Sequence, residues 1–304
     1  MQPPAAWATI LMPAMTQQRL SISELQGKAR CLRCHIIGMT ASAGSGHPGG
    51  SLSAADILAA LYFHVLRHDP QNPNWAERDR FVLSKGHAAP VLYAALAESG
   101  YFSRDLLYRL RRCDSPLQGH PHMRLLPGVE ASTGSLGQGL SIANGMALAG
   151  RLDGRGYLVY ALLGDGEVDE GQVWEAAMAG AHYRLDTVTA ILDRNRQQID
   201  GWTKEVMSLE PLTDKWRAFG WHVLEINGHD MQAIVEALSS CWEVKGQPSI
   251  IIAHTTKGKG ASLMEGKLHF HGNAPNREEM ETCLREVQTG ERCKSCGVHY
   301  PGPC

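Results

Sequence analysis

The sequence lacks any strong excess of charge and any long apolar run. Its 29 lysine and arginine residues nearly balance 31 aspartate and glutamate residues, which gives no indication of nucleic acid or an anionic membrane surface as a partner. No apolar segment approaches the roughly 20 residues that a membrane-spanning helix needs. Residues 1–15 carry no basic leader and no convincing cleavage site, so no signal peptide is predicted. We therefore expect a cytoplasmic protein.

The cysteines give no firm indication of a cofactor or a metal. Cys31, Cys34 and His35 match the spacing of a haem-attachment motif. They lie in a predicted amphipathic helix of a chain without an export signal, so the match is interpreted as accidental. A second group could bind zinc, although reduced thiols in a frayed tail over residues 281–304 are the favoured interpretation. That group consists of Cys293, Cys296, His299 and Cys304.

Length and composition predict one large domain. The 304 residues are 43% hydrophobic and 20% charged, with 32 glycines, which is the composition of an ordinary globular protein. No linker-like segment divides them, so we predict a folded domain over residues 20–280 and an extension over residues 1–19. That extension is either a disordered segment or the product of an upstream start, with Met15 as the true first residue.

Alternating apolar runs and helical segments predict a mostly parallel sheet covered on both faces, a three-layer α/β/α fold. Residues 157–163 form a continuous apolar run typical of a buried parallel strand, and residues 188–192 form another. Residues 170–183, between them, have the alanine-rich composition of a packed helix. The other predicted strands are 80–83, 221–226 and 249–253, and the other predicted helices are 21–39, 53–65, 88–98, 104–112, 139–152, 213–219 and 231–241.

A glycine-bounded aspartate stands directly after the 157–163 strand. The sequence Gly164-Asp165-Gly166 predicts a tight turn whose backbone N–H groups can approach an anion closely. Asn195 follows the next strand, and parallel sheets bind ligands at the edge where their strands end. Asp165 and Asn195 are therefore expected at one edge. A carboxylate and an amide oxygen, with a nearby backbone carbonyl, suit Mg²⁺ or Ca²⁺ shared with phosphates.

Four histidines stand on loops bounded by glycine or proline. His47 lies in a glycine-rich segment, residues 43–50, which we expect to be an exposed loop. His87 follows the 80–83 strand, a position that suits a hydrogen bond to phosphate, and His120 and His271 occupy two further loops. Neutral imidazoles can donate or accept protons near neutral pH. The four together therefore indicate a functional cluster.

Other loop residues have less specific interpretations. Residues 132–139 contain enough glycine for the backbone to pack against a flat ligand, although a plain helix-capping loop is equally compatible with them. Lys257-Gly-Lys-Gly260 is basic but lacks the serine or threonine of a phosphate-binding loop, so a solvated turn is favoured. His122 is interpreted as a surface residue, and His269 remains an outside candidate for the cluster.

In combination, these motifs resemble those of the transketolase family over roughly residues 20–275. The resemblance rests on Gly-Asp-Gly with the following Glu-Gly-Gln-Val-Trp-Glu-Ala and Asn195, and on the loops around four histidines. A fifth segment, Gly-Ser-Leu-Gly-Gln-Gly, begins at Gly134. The histidine loops are Ser-Gly-His47-Pro-Gly, Ser-Lys-Gly-His87, Gly-His120-Pro and His271-Gly-Asn-Ala-Pro.

The resemblance implies thiamine diphosphate as the cofactor and gives roles to individual residues. The side chains of Asp165 and Asn195 and the carbonyl of Gln197 would hold Mg²⁺ (or Ca²⁺), which in turn holds the diphosphate. The residues implied to contact the cofactor are His87, Gly134, Leu136, Gly166 and His271. Those implied to act on the ketose substrate or across a subunit interface are His47, His120, His271 and Glu170.

The resemblance also implies a shared active site. Transketolases transfer a two-carbon ketol unit from a ketose to an aldose, commonly as sugar phosphates, and the glutamate that activates their cofactor lies in a pyrimidine-binding domain. This sequence ends before such a domain could begin. We therefore expect the N-terminal subunit of a split transketolase, inactive alone and assembled with a C-terminal partner as a heterotetramer, serving the pentose phosphate pathway or a specialised one.

Three alternatives remain open. The chain could belong to a pathway-specific ketol transferase that uses an unusual sugar, since most sugar-phosphate contacts would lie in the partner. A deoxyxylulose-phosphate-synthase-like enzyme shares the expected fold and metal motif. The third alternative is a thiamine diphosphate-binding module that has lost catalysis, which the complete metal set and the four histidines disfavour.

Overall fold

Five parallel strands form the central sheet, which confirms the predicted α/β fold. The computed structural model describes residues 19–199 and 201–288, so residues 1–18 and the group Cys293, Cys296, His299 and Cys304 lie outside the description. The sheet contains β1 (Arg80–Leu83), β2 (Val159–Gly164), β3 (Val188–Arg194), β6 (His222–Asn227) and β7 (Ser249–His254). Their spatial order is β1-β2-β3-β7-β6. A separate antiparallel hairpin pairs β4 (Gln197–Gln198) with β5 (Gly201–Trp202).

Helices cover both faces of the sheet. One layer contains α1 (Ile22–Ala43), α3 (Ala55–Ala60), α4 (Ala89–Ser99), α9 (Met231–Ser240) and α10 (Arg277–Gln288). The opposite layer contains α5 (Gln138–Leu152), α6 (Gly171–His182) and α8 (Leu212–Ala218). The short helices α2 (Pro48–Ser53) and α7 (Thr203–Val206) lie beside the carboxyl edge, and a π-helical turn, Leu61–Val65, continues α3.

The strand sequences explain the two layers. Side chains alternate across a strand, and in β2 both sets are apolar: Tyr160 and Leu162 pack in one core, while Val159, Ala161 and Leu163 pack in the other. A strand that is apolar on both faces needs helices on both faces. In the parallel register, Gly164 of β2 is opposite Asp193 of β3, which brings the residues after these strands to one edge.

The segment before α2 corrects one expectation. In place of the predicted exposed loop over residues 43–50 there is a short loop, Gly44–His47, of which Gly44 alone is exposed, because α2 begins at Pro48 and its glycines are buried. A Cβ added at Gly49 would lie 2.8 Å from the carbonyl oxygen of Phe270. Close backbone packing therefore accounts for the glycine there. Ser53, the first residue of a predicted helix, is instead the last residue of α2, and its hydroxyl donates hydrogen bonds to the Gly50 carbonyl and the Asp193 carboxylate.

The C-terminal boundary of the domain also needs correction. We predicted that the domain ends at residue 280, but α10 runs through that position to Gln288. Its Cys283, Leu284 and Val287 are buried in the first core. The apolar face of this helix therefore makes residues 281–288 part of the folded unit.

Replacing Gly139 by alanine should destabilise the chain, because α5 begins in direct contact with the end of β1. A Cβ at this position would lie 2.3 Å from Ser84 Oγ and 2.7 Å from Ser84 Cα. We expect a loss of about 1–3 kcal/mol in the free energy of unfolding, measured by urea denaturation, as in other overpacked sites. Gly145→Ala, on the same helix, is the matched control because its Cβ would meet nothing within 4 Å. Equal stability of the two variants would contradict this packing.

Candidate functional site

A cavity of about 310 Å³ opens at the carboxyl edge of the sheet. Most of the residues selected from the sequence line it: His47, His87, Gly134, Leu136, Asp165, Gly166, Asn195, Gln197 and His271. Gly164, from the predicted anion-binding turn, also lines it. The remaining lining residues were not assigned to a site from the sequence: Gly50, Lys85, Glu167, Gln198, Ile199, Val206 and Lys257. Loops that are far apart in the chain thus meet around one space.

The four predicted histidines form one cluster. The ring of His47 lies 5.3 Å from that of His87 and 5.6 Å from that of His271, between ring centroids. His120 is more exposed and does not line the cavity, but its ring lies 6.3 Å from that of His47. His122 and His269 are exposed and stay outside the lining. The interpretation of His122 as a surface residue agrees with its position.

The clustered imidazoles are neutral at physiological pH. Burial, followed by the charge of Arg111, lowers the pKa of His47 to about 4. Burial and the charge of Lys257 lower the pKa of His271 to about 3, and burial with the charge of Lys85 lowers that of His87 well below its usual value. Removing a ring from water penalises its protonated form. The cavity therefore presents uncharged rings that can still form hydrogen bonds.

These pKa values predict an unusual titration. Between about pH 7.5 and pH 5.5, the rings of His47, His87 and His271 should stay neutral, while an imidazole with the ordinary pKa of about 6.5 gains a proton. The measurement is histidine NMR of the ligand-free chain. In the unfolded chain the same rings bind protons in this range, so they reduce the free energy of unfolding as pH falls. Protonation of these three rings near pH 6.5 would contradict the burial argument.

An oxygen-rich donor set lies beside the histidines. Asp165, Asn195 and Gln197 are 1%, 8% and 3% exposed, and the loop from Asn195 folds back so that the Arg196 N–H donates to Asp165 Oδ2. The Oε1 atom of Gln197 is buried without a hydrogen-bond donor among the described residues. A divalent cation would supply the positive charge that these oxygen ligands lack, and its bound water could donate a hydrogen bond to Gln197 Oε1. These residues therefore fit Mg²⁺ or Ca²⁺.

Asp165 is a buried carboxylate with several polar neighbours. It accepts hydrogen bonds from the backbone N–H groups of Gly166 and Arg196, and the Arg194 guanidinium lies 3.4 Å away. Burial and the nearby Asp193 carboxylate raise the pKa of Asp165 to about 6, against the opposing effect of Arg194. A bound cation would favour the ionised carboxylate.

A buried ion pair between Lys85 and Asp193 joins the loop after β1 to the end of β3. The Lys85 ammonium also donates to the Gly50 carbonyl at 2.8 Å, and Ser53 and Thr255 donate to the Asp193 carboxylate. Burial alone would raise the pKa of Asp193, but Lys85 more than reverses this and lowers it. This network fixes the backbone on both sides of the cavity, because breaking it would leave an uncompensated buried charge.

Glu167 is a second residue whose importance the sequence did not reveal. It is 2% exposed and accepts hydrogen bonds from the Ser84 hydroxyl and from the N–H groups of Gly137 and Gly164. One carboxylate thereby connects the loop after β1, the turn after β2 and the start of α5. The segment that carries Gly134 and Leu136 to the cavity depends on this connection.

Lys257 contradicts the prediction of a solvated turn. The residue is 3% exposed, lines the cavity, and its ammonium donates to His271 Nδ1 at 2.7 Å. The next residue, Gly258, has φ +80° and donates its N–H to the Gly49 carbonyl. Lys-Gly repeats look polar and flexible in the sequence, and only packing against α2 shows that this loop is buried.

A buried network behind the cavity holds the Lys257 loop. Arg33 makes a two-point ion pair with Asp56 and donates to the carbonyl of Lys259. Asp56 also accepts from His229 Nδ1 at 2.8 Å, and His229 Nε2 accepts the N–H of Thr256 at 2.8 Å. These contacts connect α1 and α3 to the loop after β7. They place the backbone on both sides of Lys257.

Glu170 lies outside the cavity at the amino end of α6. It is the residue before the first helical turn, it is exposed, and it makes no side-chain capping hydrogen bond. A Cβ added at Gly137 would lie 2.8 Å from Glu170 Cβ, so the two backbone segments pack closely. Its position agrees with a helix-start carboxylate, and its role across a subunit interface stays a prediction.

The cysteine motif in α1 has a structural explanation. Cys31, Cys34 and His35 are buried in the helix layer, and Glu98 is close to Cys31 and His35. The Glu98 carboxylate pairs with Lys28, His35 and Arg104. Burial would raise the pKa of Glu98, but His35 and Lys28 lower it to about 2. These contacts form an ion-pair network around Glu98, and the interpretation of the haem match as accidental stays a prediction.

Comparison with known proteins identifies the family. Residues 26–290 match the transketolase thiamine diphosphate-binding domain family. The chain belongs to the transketolase family. This confirms the resemblance inferred from the five motifs, and it confirms thiamine diphosphate binding as the character of the domain.

Two similar transketolase proteins have nearly the same length as this chain. One, a 6-deoxy-6-sulfo-D-fructose transketolase subunit of Clostridium sp. (strain MSTE9), is 48% identical over 90% of this chain and 98% of its own length. The other, an apulose-4-phosphate transketolase subunit of Phocaeicola vulgatus, is 45% identical over 88% of this chain and 95% of its own length.

A crystal structure of a complete transketolase gives the same fold. The transketolase of Campylobacter jejuni superimposes with a TM-score of 0.85 at 35% identity, covering 93% of this chain but 45% of that one. The chain thus spans less than half the length of this solved enzyme. Among the described residues, no helix is long and apolar enough to cross a membrane.

Proposed function

We propose that this chain is the diphosphate-binding subunit of a split transketolase that transfers a two-carbon ketol unit between sugars. The proposal rests on one observation: the oxygen ligands of Asp165, Asn195 and Gln197 and the neutral histidine rings line the same cavity. The first suits a cation shared with phosphates, and the second suits hydroxyl and carbonyl oxygens of a sugar. Neither feature alone distinguishes this function.

The residues that would hold the cofactor lie on one side of the cavity. Asp165, Asn195 and the Gln197 carbonyl would hold Mg²⁺ (or Ca²⁺), and His87 would donate to the diphosphate. Gly134 and Leu136 would face the cofactor rings, since the glycine allows close approach of the backbone. When bound, thiamine diphosphate supplies an electron sink for the two-carbon unit.

The chain's own residues would orient the sugar through hydrogen bonds. His47, His120 and His271 would form hydrogen bonds to the hydroxyl and carbonyl oxygens of the donor. Because these rings are neutral, they can do so without placing a net charge in the cavity. Lys257 contributes a buried ammonium beside them, which favours oxygen atoms that gain negative charge during transfer.

A second protein chain would complete the site. Two exposed apolar side chains line the cavity, Ile199 at 68% exposure and Val206 at 45%, and Met207, next to Val206 in the chain, is 59% exposed. Exposed apolar side chains of this kind favour burial by another protein. The two relatives described above are named as transketolase subunits. We propose a pyrimidine-binding partner that supplies the activating glutamate, and a heterotetramer of two chains of each kind, with Glu170 at the interface.

Reconstitution tests this function. The purified chain should show no ketol transfer when supplied with Mg²⁺ and thiamine diphosphate, and activity should appear when the candidate partner is added. Light scattering of the mixture should give the mass of two copies of each chain. Full activity of this chain alone would contradict the split-site proposal, and cofactor binding without any transfer in the complex would favour a binding module.

The identity of the sugars is a separate proposal. The two relatives are named for a sulfonated ketose and a phosphorylated ketose, and we propose that the donor here is also an anionic ketose. A panel of 6-deoxy-6-sulfo-D-fructose, apulose 4-phosphate and fructose 6-phosphate tests this with the assembled complex. Preference for one of the first two would indicate a specialised pathway, and preference for fructose 6-phosphate would favour the pentose phosphate pathway. The cytoplasmic location stays a prediction.

A further inference from the structure

Two histidines of the cavity each receive a hydrogen bond from a cationic side chain at the same ring nitrogen. Lys257 Nζ lies 2.7 Å from Nδ1 of His271, and Arg111 Nη2 lies 3.4 Å from Nδ1 of His47. The lysine comes from the loop after β7 and the arginine from the segment before His120, so the two pairs are structurally independent. The shared pattern indicates that these histidines are kept in one state.

The chemistry of the cations decides which state that is. Ammonium and guanidinium groups donate hydrogen bonds and cannot accept them. The Nδ1 atom of each ring must therefore present its lone pair, and in a neutral imidazole the proton is then on Nε2. Neither Nε2 atom has a hydrogen-bond partner among the described residues, and both rings line the cavity. Each ring thus offers one N–H group to a ligand.

Local structure holds Arg111 in place beside His47. Its backbone has φ +60°, which is uncommon for a residue other than glycine, and its N–H donates to the Leu117 carbonyl at 2.8 Å. Its guanidinium donates to Ser45 Oγ at 2.9 Å. A Cβ added at Gly119 would lie 3.0 Å from the guanidinium carbon. The backbone turn at Arg111 and the space left by Gly119 thus direct the Arg111 side chain toward His47.

Lys257 is held by its burial and by the loop behind it. The network of Arg33, Asp56 and His229 positions the residues on both sides of it. Burial lowers the pKa of Lys257 to about 8, so the side chain remains an ammonium, and hence a donor, at pH 7.

We propose that Arg111 and Lys257 are positioning residues that hold His47 and His271 as neutral imidazoles with the proton on Nε2. This inference rests on the proposed function, in which the two rings face the sugar. Both rings then donate hydrogen bonds to hydroxyl or carbonyl oxygens of the donor and take up no proton from it. Neutral donors of this kind stabilise negative charge that develops on oxygen, and proton acceptance falls to other groups.

Histidine NMR of the ligand-free chain tests the proposal without any activity assay. In the ¹⁵N-histidine-labelled protein at about pH 7, where the tautomers have distinct nitrogen shifts, both rings should show a protonated Nε2 and an unprotonated Nδ1. The variants His47→Gln and His271→Gln assign the two signals. The opposite tautomer or an imidazolium at either ring in the unmodified chain would overturn the proposal.

Matched variants then connect each tautomer to its cation. Lys257→Met should give His271 a mixture of tautomers and leave His47 unchanged, whereas Arg111→Met should have the reverse effect. Lys257→Arg, which keeps a donor, should preserve the His271 state. The controls are the partly or fully exposed Lys259→Met and Arg112→Met, which should change neither ring. An unchanged His271 tautomer in folded Lys257→Met would overturn the role of the lysine.

The assembled enzyme provides a second, separable readout. Lys257→Met should lower kcat for ketol transfer at least about tenfold with little change in cofactor affinity, because a wrongly placed imidazole proton can cost up to ~10⁴-fold in a hydrolase triad. Lys257→Arg should recover most of the rate. If the NMR result holds but the complex transfers no ketol unit, the proposed function fails while the tautomer assignment stands. If transfer occurs and the lysine variant is unaffected, the positioning role fails.

Discussion

Asp165→Asn should remove cofactor binding that depends on a divalent cation. The substitution keeps the size of the side chain but removes the charge that would hold the cation. Without the cation, the negative charge of the diphosphate would not be neutralised in the cavity. We expect the affinity for thiamine diphosphate at saturating Mg²⁺ to fall by about 100-fold or more. Even the mutation of residues that only contact metal ligands typically lowers metal affinity or activity by about 10–100-fold. Calorimetry measures it directly.

The hydrogen bonds of Asp165 make asparagine a better substitution than alanine for testing the metal site. Alanine at position 165 would leave the N–H groups of Gly166 and Arg196 without their acceptor, so instability could be mistaken for lost binding. Asparagine retains an oxygen acceptor. Asp169→Asn is the matched control, because Asp169 is an exposed carboxylate in the same turn. Unchanged cofactor affinity in Asp165→Asn would refute the metal assignment.

Alanine variants of the substrate-facing histidines should lower the transfer rate much more than cofactor affinity. For His47, His120 and His271 we expect kcat to fall by about 10²–10⁴-fold, the usual effect of removing a positioned acid–base or donor group. His87→Ala should have the opposite bias and mainly weaken cofactor binding. The measurements are steady-state kinetics of the assembled complex and calorimetry on the same samples.

The exposed His122, two residues from His120, provides the control for this series. His122→Ala should leave rate and affinity unchanged, because its side chain is exposed and belongs neither to the cavity lining nor to the histidine cluster, which His120 joins through its ring contact with His47. If all four cluster variants changed cofactor binding alone, the substrate-facing roles would be wrong. If His120→Ala alone had no effect, the substrate-facing role of His120, which is exposed at the edge of the cluster, would be wrong.

Several errors in the sequence-based expectations have one physical origin. Residues 43–50 and the Lys257 loop were both expected to be solvent-exposed because glycine and polar residues usually mark surface turns. In the structure the two segments pack against each other, with the Gly258 N–H bonded to the Gly49 carbonyl. Glycine there permits close backbone contact, and glycine in a sequence does not distinguish this use from a flexible turn.

The sequence by itself determined the sheet, the order of its elements and the edge where the site lies. The apolar runs 157–163 and 188–192 predict buried strands through local composition, and the structure has strands at Val159–Gly164 and Val188–Arg194. Parallel strands bring the residues after them to the same edge of the sheet. For this reason Asp165 and Asn195 could be placed at one edge without coordinates. The histidines could be selected because each stands in a short motif.

Only the tertiary structure decided how these residues are charged, buried and oriented. The ion pair of Lys85 with Asp193 spans 108 positions of the chain, and the contact of Arg111 with His47 spans 64. No local pattern contains such pairs, because they depend on how segments far apart in the chain pack against one another. Burial then sets the pKa of each ring, and a neighbouring cation sets which ring nitrogen carries the proton.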